Sequence, residues 1–116
     1  MLRRGNEPYY ECSSKGDKRF SAFYARIKQR DNKSIEDLYQ AAKVFTDGTT
    51  GLTWRLAKGR KPVNGPEVAD LYDQLWKEYL DENPELIYIL RAQSGLSDIF
   101  GKEGHQCQAD TLWRLR

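Results

Sequence analysis

Apolar residues recur at three- and four-residue spacing along one stretch of the chain: Val68, Leu71, Tyr72, Leu75, Trp76, Tyr79 and Leu80. That period predicts an amphipathic helix, and Pro66 suits its first turn, where a missing N–H leaves no partner unmet. Asn83-Pro84 breaks the pattern and starts a second helix that runs through Arg91 and ends before Gly95. An earlier helix is predicted from Ser34, whose hydroxyl is placed to cap the turn that reaches Asp37. Ile35, Leu38, Tyr39, Ala42 and Phe45 give that helix its inward face. Asp47-Gly-Thr-Thr50 ends it, a short helix follows over 52–57, and Gly59 closes that one. A last helix is predicted over 109–115, with Leu112 and Leu115 inward. Residues 20–29 are rich in aromatics and alternate loosely, which predicts a strand. Residues 9–12 read as an arm or edge strand, 15–17 as a turn, 62–65 as a loop, and 97–101 as a short extended or turn segment. The fold class this predicts is α+β: a mostly helical single domain with a small β-sheet over 20–116, preceded by an N-terminal arm and turn over 1–19.

Composition narrows the class. At 116 residues one domain is expected, with 39% hydrophobic and 31% charged residues. No apolar run approaches the roughly 18 residues of a membrane span. The basic start, Met1-Leu-Arg-Arg, lacks the apolar segment of a secretory signal, so a cytoplasmic location is expected, in a bacterium or a virus-infected cell. Cys12 and Cys107 stand near opposite ends with one histidine, His105, too few ligands for zinc; no metal and no cofactor is predicted. Charge is uneven. Lys15, Lys18, Arg19, Arg26, Lys28, Arg30 and Lys33 crowd the N-terminal third, Arg55, Lys58, Arg60 and Lys61 form a second basic cluster, and 67–85 is acidic. A basic side of this kind suits phosphates.

The candidate chemistry lies on the helix after Ser34. Glu36, Gln40 and Lys43 fall at i, i+4 and i+7, which sets a carboxylate, an amide and an amine on one stripe. A carboxylate beside an amine is a frequent minimum for acid–base or covalent work on a small polar substrate. The same spacing also fits a solvated face with weak ion pairs. Gly16-Asp-Lys-Arg19 joins a turn glycine to two cations; it suits a diphosphate or a plain surface loop. Trp54 and Trp113 suit base stacking or core packing.

The order of these pieces resembles the NADAR (NAD- and ADP-ribose-associated) family. Phe20-Ser-Ala-Phe-Tyr24 resembles its aromatic strand, and Ile35-Glu-Asp-Leu-Tyr-Gln-Ala-Ala-Lys43 its helix with a Glu, a Tyr-Gln pair and a lysine. Lys77-Glu-Tyr79, Asn83-Pro-Glu-Leu86 and Ile89-Leu90 resemble a later helix pair. Asp98-Ile-Phe-Gly101 resembles the motif that follows, and Leu112 to Arg116 the end. Asp37 stands where the family has His, and Phe100 where it has Trp. Residues 104–110 have no counterpart there and resemble instead a helix start in small phage and bacterial proteins. The resemblance implies N-glycosidic chemistry on ribose, such as removal of ADP-ribose from a guanine base. Glu36, Lys43 and Asp98 would be catalytic, and Arg19, Phe23, Tyr24, Tyr39, Gln40, Phe100 and Gly101 would bind substrate. The implied partner is an ADP-ribose-like or nucleotide ligand, or nucleic acid carrying the modified base, with no membrane involved. The alternative is a non-catalytic, phage-type nucleotide-binding or host-factor-inhibiting protein on the same fold; a third reading is an interaction module built on the acidic helix.

Overall fold

The spine of the molecule is the helix that the apolar period predicts. In a computed structural model that describes residues 10–57, 59–97 and 108–116, it spans Gly65–Glu82 (α3). Before it come β1 (Tyr10–Glu11), β2 (Arg26–Ile27), β3 (Lys33–Ser34), α1 (Ile35–Ala41) and α2 (Trp54–Ala57). After it come α4 (Glu85–Arg91), β4 (Leu96–Ser97) and α5 (Gln108–Leu115). This is the mixed α+β domain expected, mostly helical. One stripe of α3 buries Val68, Tyr72, Leu75, Trp76, Tyr79 and Leu80, and leaves Asp70 and Lys77 exposed. Trp76, Leu75, Phe20, Ile27, Ile35, Leu90, Leu96 and Leu112 are closed off from solvent and form the centre of the core. α1, β2 and α5 all pack on α3.

The sheets are small. β1 runs parallel to β4, with Tyr10 opposite Leu96 and Glu11 opposite Ser97. β2 runs antiparallel to β3, with Arg26 opposite Ser34 and Ile27 opposite Lys33. Within the segment expected as an arm and turn, Cys12 is fully buried and Tyr10 sits edge-on to Phe20 at 5.9 Å, while Lys15, Gly16, Lys18 and Arg19 are exposed.

The strand expected over 20–29 is not one strand. Lys18–Phe20 is a 3-10 turn, residues 21–25 turn again, and only Arg26–Ile27 is extended before a second 3-10 turn at Lys28–Arg30. The side-chain pattern explains this. Phe20, Ser21 and Ala22 are consecutive and buried, while Phe23 and Tyr24 are consecutive and exposed. A strand sends neighbours to opposite faces and cannot produce that order. Local hydrogen bonds fix the turns instead. Asp17 accepts the N–H of Arg19 at 3.0 Å, and the Ser21 carbonyl accepts from Tyr24 and Ala25 at 3.0 and 2.8 Å.

α1 starts as predicted, with Ser34 Oγ accepting the Asp37 N–H at 3.1 Å. It stops at Ala41, sooner than the sequence suggests, because its last carbonyls are taken from outside. The Ala41 carbonyl accepts from Thr50 Oγ1 and the Gly51 N–H, and the Ala42 carbonyl from Asn64. The acidic face of α3 is partly neutralised within the fold. Glu78 takes Arg30 in a bidentate pair at 2.7 and 2.8 Å, and Glu82 accepts the N–H groups of Lys28 and Gln29. Asp73 accepts from Arg114 and Thr111 and clasps α5 to α3. Among the described residues no helix is long and apolar enough to cross a membrane.

Candidate functional site

The N-terminus of α1 is held by the turn ahead of it. The Ala25 carbonyl accepts the N–H of Ile35, and the Ala22 carbonyl accepts the N–H of Glu36, both at 2.9 Å. Those are two of the four N–H groups that a helix start leaves without internal partners. The other side of the Ala22 residue is held from far along the chain. Its N–H donates to Gln108 Oε1 at 2.7 Å, while Gln108 Nε2 donates to the Cys12 carbonyl at 3.0 Å. Three segments, 12–13, 21–25 and α5, therefore converge where Glu36 leaves the backbone.

From there Glu36 and Gln40 meet on α1 as the spacing predicts, while Lys43 joins them from beyond the end of the helix. Gln40 Nε2 donates to Glu36 Oε1 at 2.7 Å, and the charge of Lys43 acts on the same carboxylate. The Lys43 ammonium lies 4.7 Å from the centre of the Tyr39 ring. Tyr39 in turn meets Tyr72 of α3 edge-on at 4.9 Å. The site is thus one face of α1, extended by Lys43 past the helix end and backed by an aromatic pair. Gln40 Oε1 is buried and has no donor among the described residues.

Burial dominates the electrostatics. Desolvation raises the Glu36 carboxyl above its ordinary range; the Gln40 hydrogen bond and the Lys43 charge pull it back, and Asp37 adds to the rise. Desolvation lowers the Lys43 amine, and Glu36 offsets part of that. Tyr39 is pushed up by burial and by Glu36. A carboxyl raised and an amine lowered side by side is the environment that brings acid–base groups toward working pH. Isolated surface residues at helical spacing would not show it, because water would restore both groups to their usual values.

The other predicted residues divide. Phe23 directly follows Ala22 and remains 46% exposed, its ring edge-on to Trp54 at 5.5 Å; the Arg55 guanidinium lies 5.6 Å from the Trp54 ring centre. Tyr24 is 51% exposed, with the Lys18 amine 4.8 Å from its ring centre. Arg19 is engaged elsewhere: its guanidinium pairs with Asp17 at 2.6 to 3.2 Å, and Tyr10 Oη donates to the same carboxylate. That holds the Asp17 carboxyl down to about 2. Among the described residues Arg19 forms no hydrogen bond or ion pair with Glu36, Tyr39, Gln40 or Lys43. Asp98, Phe100 and Gly101 lie outside the described residues. A groove of about 290 Å³ lies on the neighbouring stripe of α1, lined by Lys33, Asp37, Leu38, Ala41, Gly51, Leu52 and Thr53, and includes none of the candidates.

Sequence reasoning missed Gln108, Asn64 and Tyr72. Tyr72 reads only as a core position on α3. Gln108 and Asn64 act through backbone groups far away in sequence, which no local pattern records. No protein-family model and no curated protein matches this sequence.

Proposed function

We propose that Glu36, Tyr39 and Gln40 on α1, with Lys43 just beyond its end, form the reaction centre of an N-glycosidase for an ADP-ribosyl or ribosyl-N-linked substrate, as the resemblance to the NADAR family implies. One observation carries the reading. A desolvated carboxylate is fixed by Gln40 beside an amine that is itself desolvated against Tyr39.

Breaking a C1–N bond sends its electron pair to the leaving base and leaves positive charge on the sugar ring. A carboxylate close to C1 stabilises that charge, and the effect grows when water is excluded. Glu36 then accepts a proton from the water that adds to C1, a task that suits a carboxylate whose affinity for protons is raised. The Lys43 ammonium binds a phosphate oxygen or the leaving base, or, as the free amine, adds to C1 itself. Tyr24, exposed beside Lys18, and Phe23, exposed against Trp54 with Arg55 on that indole, offer stacking surfaces and cations to a base carried on nucleic acid.

The second reading is a silent nucleotide-binding protein, favoured by the position of the described groove on the neighbouring stripe of α1. One experiment separates the two. Binding of ADP-ribose is measured by calorimetry, and release of ADP-ribose from an oligonucleotide carrying an ADP-ribosylated guanine is followed by chromatography. Release by wild type that is lost in Glu36→Gln supports the enzyme. Binding without release, unchanged in Glu36→Gln, supports the silent binder. Neither binding nor release ends both.

A further inference from the structure

Asn64 occupies the N-cap position of α3, where an asparagine side chain ordinarily accepts an N–H from the first turn of its own helix. Here it makes no such bond. It turns instead to the end of α1. Asn64 Oδ1 accepts the N–H of Val44 at 2.9 Å, and Asn64 Nδ2 donates to the carbonyl of Ala42 at 3.0 Å. Those two groups belong to the two peptide units that flank Lys43. The Lys43 N–H donates to the Gln40 carbonyl at 3.2 Å, and the Val63 N–H reinforces the join by donating to the Val44 carbonyl at 2.8 Å. Three of the four polar groups of the flanking peptide units are therefore fixed, two of them by a single carboxamide.

This matters because Lys43 stands beyond α1, which ends at Ala41. Helical geometry no longer sets its backbone, so some other constraint must place its side chain over Tyr39. An asparagine that gives up its own helix cap to bracket one residue is poorly explained by the stability of α3. We infer that Asn64 is a positioning residue, whose carboxamide sets the backbone of Lys43 so that its amine lies on the Tyr39 ring beside Glu36. The inference rests on Lys43 being part of the site proposed above.

The test uses the full chain and a readout that needs no substrate. Lysine amines are tagged by reductive methylation with ¹³C-formaldehyde, and their signals are titrated by NMR; the Lys43 signal is assigned by its absence in Lys43→Arg. Glu36 and Tyr39 on α1 act on Lys43 directly, Tyr72 on α3 backs the Tyr39 ring, and none of them is altered. Asn64→Ser is the informative variant, since serine restores an ordinary cap to α3 but is too short to span residues 42 to 44. Asn64→Ala removes both functions. In Asn64→Ser the Lys43 midpoint is expected to move upward toward that of an ordinary lysine, while the other lysines and the thermal midpoint stay near wild type. ADP-ribose affinity is expected to fall in Asn64→Ser but not to fall further when Asn64→Ser is added to Lys43→Ala, the non-additivity of two residues acting as one. An unmoved Lys43 midpoint in folded Asn64→Ser overturns the inference. Failure of both variants to fold does so too, because it assigns Asn64 to structure alone. Should wild type bind no ADP-ribose while the midpoint still moves, the positioning role stands and the N-glycosidase reading falls.

Discussion

Gln108 and Ala22 are 86 positions apart, and the side chain of the first accepts the backbone N–H of the second at 2.7 Å in the buried interior. The Ala22 carbonyl then receives Glu36. The C-terminal helix thereby reaches the start of the candidate site through one residue. Gln108→Ala would leave the Ala22 N–H buried without its acceptor and take the Gln108 donor from the Cys12 carbonyl. An orphaned buried N–H costs about 1–3 kcal/mol. A drop in unfolding free energy of that order, read from urea denaturation, is expected, together with weaker Glu36-dependent activity. A loss within about 0.5 kcal/mol, the range of an ordinary surface substitution, would show that the Ala22 N–H finds another partner.

Trp76 is fully buried on α3, with Tyr79 edge-on at 5.5 Å. Trp76→Ala is expected to cost about 3–5 kcal/mol, since a large aromatic leaves both lost contacts and a cavity. Its indole N–H is buried with no acceptor among the described residues. Trp76→Phe therefore removes an unmet donor as well as some volume, and should cost much less than Trp76→Ala. Equal losses for the two variants in chemical denaturation would contradict this.

How much of this was legible in the sequence depended on the range of the signal. α3 was readable because seven apolar residues repeat over four turns, and only a helix satisfies that order. The cap at Ser34 and the Glu36–Gln40–Lys43 stripe were readable for the same local reason. The segment 20–29 was misread because its aromatic content matches a strand while its burial does not alternate. Strands of two residues carry no period at all. Gln108 and Asn64 were invisible because each bonds to backbone groups, which every residue type supplies alike. The stripe could be found from sequence, but the two carboxamides that fix its ends could not.

Acid stability follows from Glu78. Its pairing with Arg30 and the added bond from Gln74 hold its carboxyl from 4.5 down to about 2. A depressed carboxyl contributes stability above its unfolded value and loses it as pH falls toward the folded value. The unfolding free energy should therefore decline between about pH 4.5 and pH 2. Glu78→Gln should be less stable than wild type at pH 7, and the gap should close across that window. A gap that persists unchanged at pH 2 would exclude the ion pair as its source.

Glu36 gives the opposite sign from the Glu78 ion pair. Its carboxyl is raised by burial, so the folded chain holds that proton more tightly than the unfolded chain does. Stability from this group is fully present below the unfolded carboxyl value and is lost as pH rises through the folded one. Lys43 is lowered, so its penalty is present while it is charged and lifts as pH rises from the folded value toward that of a free lysine. At pH 7 Glu36→Gln should thus match or exceed wild type in thermal midpoint, since the amide resembles the neutral carboxyl that the site prefers. In the proposed N-glycosidase, catalysis should move the other way. The amide keeps the shape and accepts from Gln40, but it neither balances a developing cation nor takes a proton from water, so ligand affinity should stay near wild type while turnover vanishes. Lys43→Ala should weaken both, because an amine that meets phosphate does so before and during reaction. The pH–rate profile should rise through a midpoint above the ordinary carboxylate range and, where Lys43 works as the ammonium, fall again below the ordinary lysine range. A variant Glu36→Gln that is both clearly less stable at pH 7 and fully active would mean that the carboxylate holds the fold together and does no chemistry.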